Sequence, residues 1–248
     1  MSRDDSKGPR TISARRKRQL ASLALLPLMA AGVRDAARAA SEVPLQAIGR
    51  DQLCVTNGAI SSLPDGRLAI ETASSRAVLR ASTAQVAEIR FRYLGPSLNS
   101  KPLASGEMRR QIGLKLRAQD SCNLVYAMWH IEPDSKFGVS IKRNIGKSTH
   151  EQCHADCYTT IKSGQSVTLP RIRVGEAHVL RAALEDSKLT LTADGKTVWE
   201  GELGKRIAEF DGPVGLRTDN ARFELEYLAS PGQAPSPYAL QCRQGPGD

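Results

Sequence analysis

The run from His178 to Tyr227 constrains this chain more than any other part of it. His178–Leu184, Lys188–Ala193 and Thr197–Leu203 alternate apolar and polar residues with a period of two, which sends successive side chains to opposite faces of a strand. Ala193-Asp-Gly-Lys196 separates the second run from the third, and its Asp-Gly pair is a hairpin signal. Gly204–Glu209 has room for one helical turn, and Gly212–Leu216 and Phe223–Leu228 close the series. Such a meander has one apolar face, and that face needs a second layer to cover it.

The same pattern runs back through the chain. In Val86–Tyr93, Ile89, Phe91 and Tyr93 face one way and Glu88, Arg90 and Arg92 the other. Gln111–Arg117 turns Ile112, Leu114 and Leu116 inward. Leu124–Glu132 places Trp129 with Val125 and Ile131 on the core side, and Tyr126 with His130 on the opposite side. Phe137–Lys142 pairs back, and Ser166–Val174 resumes strand character. Gly95–Gly106 is a loop on composition, and Asn144–Ser166 loses periodicity and reads as a long stapled loop, a kind that is often functional. Roughly eleven to thirteen short strands with turn residues between them predict an all-β, antiparallel two-sheet sandwich. At this length a large jelly roll fits better than an immunoglobulin-type domain.

The first 39 residues read as a signal peptide ahead of that fold. Arg15, Arg16, Lys17 and Arg18 form a basic region, Leu20–Val33 is an apolar run broken by Pro27, and Ala37-Arg-Ala39 offers small residues to a signal peptidase. The run falls short of the roughly 20 apolar residues that a spanning helix needs. Residues 40–229 are then the sandwich, and 230–248 a Pro-rich tail pinned by Cys242. The leader also explains most of the charge. The chain is +9 overall, but nine of its 35 Lys/Arg and three of its 26 Asp/Glu lie in residues 1–39. The remainder holds 26 basic and 23 acidic residues, so nucleic acid is not an expected partner. The expected location is outside the cytoplasm, periplasmic or extracellular, with no transmembrane segment in the mature chain.

All five cysteines, Cys54, Cys122, Cys153, Cys157 and Cys242, follow the leader, and in an exported chain they read first as disulfides, with one left over. Cys54 and Cys242 sit near the two ends of the domain and are the expected pair. Cys122 is expected to join Cys153 or Cys157.

From Gln85 to Leu228 the chain resembles the concanavalin A-like lectin/glucanase superfamily, in its laminin G-like branch, including the 3-keto-disaccharide hydrolase-like domains. The residues that carry the resemblance are Gly175-Glu-Ala-His-Val-Leu-Arg181, Leu189-Thr-Leu-Thr-Ala-Asp-Gly-Lys-Thr-Val-Trp199 and Gly212-Pro-Val-Gly-Leu-Arg-Thr-Asp-Asn220. Gly215 is expected to let the two sheets approach. The resemblance implies a jelly roll and a carbohydrate ligand, but a fold of this kind hosts binding modules and hydrolases alike. The alternating acidic motif of the glucanases, Glu-x-Asp-x-x-Glu, is absent. Glu224 and Glu226 alternate on one strand beside Arg222 and read as a solvated face.

Two groups of residues stand out as candidate sites. Arg90, Arg92, Lys115, Arg117 and Lys142 all lie opposite the apolar positions of their strands, and together with Tyr126 and His130 they would form a basic, Tyr-bearing sheet face suited to an acidic glycan. His150, Cys153, His154 and Cys157 have the residue types of a zinc site, although four ligands within eight residues leave little chain to wrap an ion. The expectation is an exported, non-catalytic domain without a cofactor that binds a glycan or a cell-envelope surface. The alternatives are a secreted sugar hydrolase on the same fold and a metal or redox role at residues 150–157.

Overall fold

The computed structural model describes residues 44–80, 83–164, 167 and 169–232. The expected signal peptide and most of the expected tail, with Cys242, lie outside them. Fifteen strands are present among the described residues: β1 (Gln46–Ala47), β2 (Leu53–Asn57), β3 (Ser61–Ser62), β4 (Leu68–Ile70), β5 (Ser74–Leu79), β6 (Val86–Pro96), β7 (Arg110–Leu116), β8 (Leu124–Glu132), β9 (Lys136–Lys142), β10 (Tyr158–Ile161), β11 (Ala177–Glu185), β12 (Lys188–Ala193), β13 (Lys196–Glu202), β14 (Gly215–Asp219) and β15 (Ala221–Ala229). They form two antiparallel sheets. The first runs β13-β12-β11-β6-β15-β4-β3, with β1 also on β15, and the second runs β10-β9-β8-β7-β14-β5-β2. The protein is an all-β jelly-roll sandwich.

The inner faces supply the core that the alternation predicts. Ile89, Phe91 and Tyr93 from β6 meet Ile112, Leu114 and Leu116 from β7 and Val125, Ala127, Trp129 and Ile131 from β8, all buried. Phe91 is the bridge between layers: its ring stands edge-on to Trp129 of the second sheet at 5.9 Å and to Phe223 of its own sheet at 5.6 Å. Edge-to-face pairs of this kind add about 0.5–1.5 kcal/mol each to what area burial supplies. Asp194 and Gly195 both take positive φ, 50° and 77°, as the predicted two-residue hairpin between β12 and β13 requires.

Three local expectations change. Residues 144–166 hold one helical turn, α1 (His150–Cys153), and the edge strand β10, which pairs with β9. The described residues between 167 and 174 form no strand, and β11 begins at Ala177. Gly215 serves a close approach within its own sheet. A Cβ there would lie 2.1 Å from the Ala77 carbonyl oxygen on the adjacent strand β5.

Candidate functional site

The two sheets divide the five residues expected on one basic face. Strand β6 pairs with β11 and β15, so Arg90 and Arg92 point outward from the first sheet. There Arg90 bridges Glu88 and Glu226, and Arg92 donates to the Gly175 carbonyl at 2.7 Å. Arg117 lies just past the end of β7 with φ 46° and donates to the Phe210 carbonyl at 3.3 Å. Lys115, Lys142, Tyr126 and His130 belong to the outer face of the second sheet.

Register organises that face into rows. Lys115 of β7 sits opposite Tyr126 of β8, and Tyr126 opposite Ser140 of β9. The next row runs Arg76, Arg217, Gly113, Met128, Gly138 across five strands. Gly113 lets Met128 pack over the middle of the row, since a Cβ there would press on the Met128 sulfur at 2.6 Å and the Ala127 carbonyl at 2.3 Å. The third row runs Ser74, Asp219, Gln111, His130, Lys136. On the other side of the Lys115 row, Lys142 pairs with Tyr158 of β10.

Loops turn the first part of this face into a cleft of about 270 Å³. Lys101–Ala104 forms one wall, and His150, His154 and Ala155 form the other. Arg76, Lys115, Tyr126, Lys142, Arg217 and Asp219 lie between them. Lys115 and Lys142 are each only 1% exposed. The Lys142 ammonium donates to the carbonyls of Ser121 (3.0 Å) and His154 (2.7 Å) and lies 5.4 Å from the Tyr158 ring centre. The Arg217 guanidinium covers the Tyr126 ring at 5.0 Å, and its Nε donates to Asp219 at 2.7 Å. Tyr126 and Tyr158 stack, with ring centres 6.2 Å apart and planes inclined by 24°.

The cations set the electrostatics of the phenols. Burial pushes the Tyr126 hydroxyl up, but Arg217, Lys115, Arg76 and Lys142 together pull it below the ordinary phenol range. Tyr158 is pushed up to about 12 by burial and by the neighbouring Tyr126. Burial works against the Arg217 charge, yet Asp219 and Tyr126 outweigh it and hold the guanidinium more firmly charged than an ordinary arginine.

His130 stands outside the cleft. Burial, then Arg109, Lys136 and Arg217, push it down to about 3, and its Nε2 lies 3.3 Å from Arg109 Nη1. Its Nδ1, and the Oε1 of Gln111 opposite it in register, are buried without a hydrogen-bond partner among the described residues.

The four-ligand zinc arrangement does not form. Cys153 is bonded to Cys122, and no group of three or more His, Cys, Asp or Glu among the described residues is placed to hold a metal ion. Cys157 is an exposed free thiol, and the His150 and His154 rings lie 6.4 Å apart in the cleft wall. Cys54 is also disulfide-bonded, and its expected partner Cys242 lies outside the described residues. The Cys122 bridge ties the 144–157 segment down as expected, and hydrogen bonds lace the same contact. Asn123 donates to the Lys147 carbonyl, Asn144 donates to the carbonyls of Cys122 and Asp156, and Ser121 donates to the Ser148 carbonyl.

Sequence reasoning missed Arg76, Tyr158, Arg217 and Asp219. Arg217 and Asp219 belong to the closing strands, which read as scaffold. Their alternation with the buried Leu216 and Thr218 marks them as outward-facing. Tyr158-Thr-Thr-Ile161 is rich in aromatic and β-branched residues, the composition of a strand. Thr149-x-x-Gln152 is a capping-box pattern that announces α1, and Gln152 Oε1 accepts from the backbone of Ser148 and Thr149.

No family model matches the chain, and no curated protein does. Solved structures similar to it include the carbohydrate binding module CBM66 from Bacillus subtilis, at 13% identity over 75% of this chain and 96% of that one, with a TM-score of 0.47. The Emp46p carbohydrate recognition domain is similar at 15% identity over 73% and 89%, with a TM-score of 0.46. The Crh5 transglycosylase is similar at 13% identity over 76% and 83%, with a TM-score of 0.43. At such identities and scores, none of the three assigns a ligand or an activity to this chain.

Proposed function

We propose that this chain is an exported domain that binds an acidic glycan in the cationic cleft of its second sheet. The observation that supports it most strongly is the imbalance of charge. Arg76, Lys115, Lys142 and Arg217 gather around Tyr126, and Asp219 is the one carboxylate among the described lining residues. A cleft lined by that many cations creates a positive field, and a ligand carboxylate suits it. Tyr158, 42% exposed, offers a ring edge and a hydroxyl to a sugar at the mouth of the cleft. The resemblance of the closing strands to lectin and glycanase folds favours a glycan over other polyanions. The oxidised Cys122–Cys153 pair and the leader-like N-terminal sequence favour export. Among the described residues no helix is long and apolar enough to cross a membrane.

The test is calorimetry with O4-linked uronate oligosaccharides against their neutral, sulfated and phosphorylated counterparts. Uronate binding that weakens with salt, and that falls at least tenfold in Arg76→Ser, supports the proposal. Equal binding of neutral sugars, or none of any, overturns it. The N-terminal mass of the protein recovered from the cell envelope tests export, with a start near Ala40 expected.

A further inference from the structure

We propose that residues 243–248 of this chain dock in the cleft, led there by a Cys54–Cys242 disulfide, and that a glycan binds by displacing them. The docking stands on the position of Cys54, and the displacement rests on the acidic-glycan reading.

The five cysteines leave one partner for Cys54. Cys122 and Cys153 are bonded to each other, and Cys157 is a free thiol. Cys54 is disulfide-bonded, so Cys242 is the cysteine that remains to it. A disulfide holds its two Cα atoms about 6 Å apart. Residue 242 therefore lies wherever Cys54 points.

Cys54 points outward from the second sheet. Its chain neighbours Leu53 and Val55 belong to the core between the sheets, whereas Cys54 belongs to a separate buried cluster with Val78, Tyr126 and Met128. Register extends that cluster into a row. Cys54 of β2 sits opposite Val78 of β5, followed by Gly215 of β14, Lys115 of β7 and Tyr126 of β8. Lys115 and Tyr126 line the cleft, so the row that starts at Cys54 runs into it. The outer face of an antiparallel sheet is commonly wetted, yet Cys54 and Val78 are each 1% exposed. A segment anchored at Cys54 supplies cover at that end of the row.

The described chain heads for the same place. It reaches Gly232 beside Leu79 and Arg80 of β5, and Leu79 is the chain neighbour of Val78. Residues 233–241 then separate Gly232 from Cys242. Extended, that stretch spans about 30 Å, against the roughly 10 Å between packed sheets. It is long enough to turn round β2, which ends the second sheet.

Beyond the anchor the distances match the cleft. Neighbouring strands lie about 4.8 Å apart, which puts Lys115 roughly 14 Å from Cys54 and Tyr126 roughly 19 Å from it. Arg243-Gln-Gly-Pro-Gly-Asp248 spans about 20 Å when extended. The Asp248 carboxylate thus reaches the middle of the cleft. Gly245-Pro-Gly247 is slim enough to lie between the two walls. Charge favours this direction for the segment. The lining holds Arg76, Lys101, Lys115, Lys142 and Arg217 with Asp219, and Asp248 brings a second carboxylate into that field. A segment tethered beside its site acts at an effective concentration in the millimolar range. A glycan carboxylate entering the same field competes with that of Asp248, so the tether lowers apparent affinity without altering the site.

The experiment treats the disulfide-intact protein with a carbodiimide, which joins a carboxylate to a lysine in contact with it. Linked peptides are then mapped by mass spectrometry without reduction. A peptide pair holding Cys54 and Cys242, and a link from Asp248 to Lys101, Lys115 or Lys142, are the expected results. Pairing of Cys54 with another cysteine, no link from Asp248, or links only to lysines elsewhere on the chain overturns the docking. In a mixture of isotope-labelled and unlabelled protein, links between copies in place of internal ones overturn it in favour of a second copy. Calorimetry with O4-linked uronate oligosaccharides compares the full chain with Asp248→Asn and with a variant that stops after Cys242. Both variants keep the cysteines and every described residue. Affinity is expected to rise about tenfold or more in the shortened variant, and by a smaller factor in Asp248→Asn. Unchanged affinity in both overturns the displacement. Uronate binding absent from all three proteins, with the Asp248 link formed, overturns the acidic-glycan reading and the displacement with it, and leaves the docking standing.

Discussion

Lys142 and His154 are joined by a 2.7 Å hydrogen bond from the lysine ammonium to the histidine backbone carbonyl, and Lys142 donates also to the Ser121 carbonyl. The two acceptors are the chain neighbours of Cys153 and Cys122, which are bonded to each other. The disulfide therefore fixes the pair of carbonyls that accept hydrogen bonds from a buried lysine. Replacing both cysteines by serine is expected to cost about 3–4 kcal/mol, from a cross-link spanning 31 residues. It should also weaken uronate binding, because the wall carrying His150 and His154 loses its tether. Denaturant melts and calorimetry on the double variant check both effects. Unchanged affinity would separate the bridge from the site.

Asp219 sits at 1% side-chain exposure beside Arg217 at 13%. Asp219→Asn leaves the guanidinium without its counter-charge and should destabilise the fold by about 3–5 kcal/mol. The same change removes the only carboxylate from the described lining of an anion site, so affinity for a uronate oligomer should rise. Stability and affinity moving in opposite directions is the signature to measure.

His130 gives the fold an acid limit. Its folded value is about 3 against an ordinary 6.5. Between those values the unfolded chain binds a proton at this ring that the folded chain does not, so stability falls as pH drops from about 6.5 toward 3. The full loss is on the order of 5 kcal/mol. Stability measured from pH 7 to pH 4 should decline more steeply in the wild type than in His130→Gln. Parallel curves would refute this account.

Gly215→Ala places a methyl group 2.1 Å from the Ala77 carbonyl oxygen and 2.9 Å from the Val78 Cα. Backbone cannot rotate out of the way, so β14 must move off β5, at roughly 2 kcal/mol or more. Gly195→Ala, in open space at φ 77°, should cost only about 1 kcal/mol. Thermal melts of the two variants rank them, and the reverse order would contradict the packing described.

The fold was legible because both sheets keep one dry face, and the period-two pattern records dryness directly. Trp129 was placed in the core on its neighbours alone, and it is fully buried. The candidate site was only half legible. Lys115, Lys142 and Tyr126 showed themselves as outward-facing residues. Nothing in one strand says which sheet it joins, so Arg90 and Arg92 were grouped with residues on the other side of the sandwich. Arg76 and Arg217 are brought to the cleft by pairing between strands far apart in the chain, β5 with β14, and Tyr158 by the return of the stapled segment onto β9. Such long-range register leaves no local trace.

The outer face of the first sheet balances its charges in pairs: Arg67 with Glu224, Arg90 with Glu226, Arg181 with Glu88, Lys188 with Glu200. Among the described residues the outer face of the second sheet carries Arg76, Lys115, Lys136, Lys142 and Arg217 together with Asp219. The sandwich is thus polarised across its thickness, and a polyanion in solution feels a torque before it feels a contact. Encounters should be oriented cleft-first, and the association rate should fall as ionic strength shortens the roughly 10 Å reach of that field.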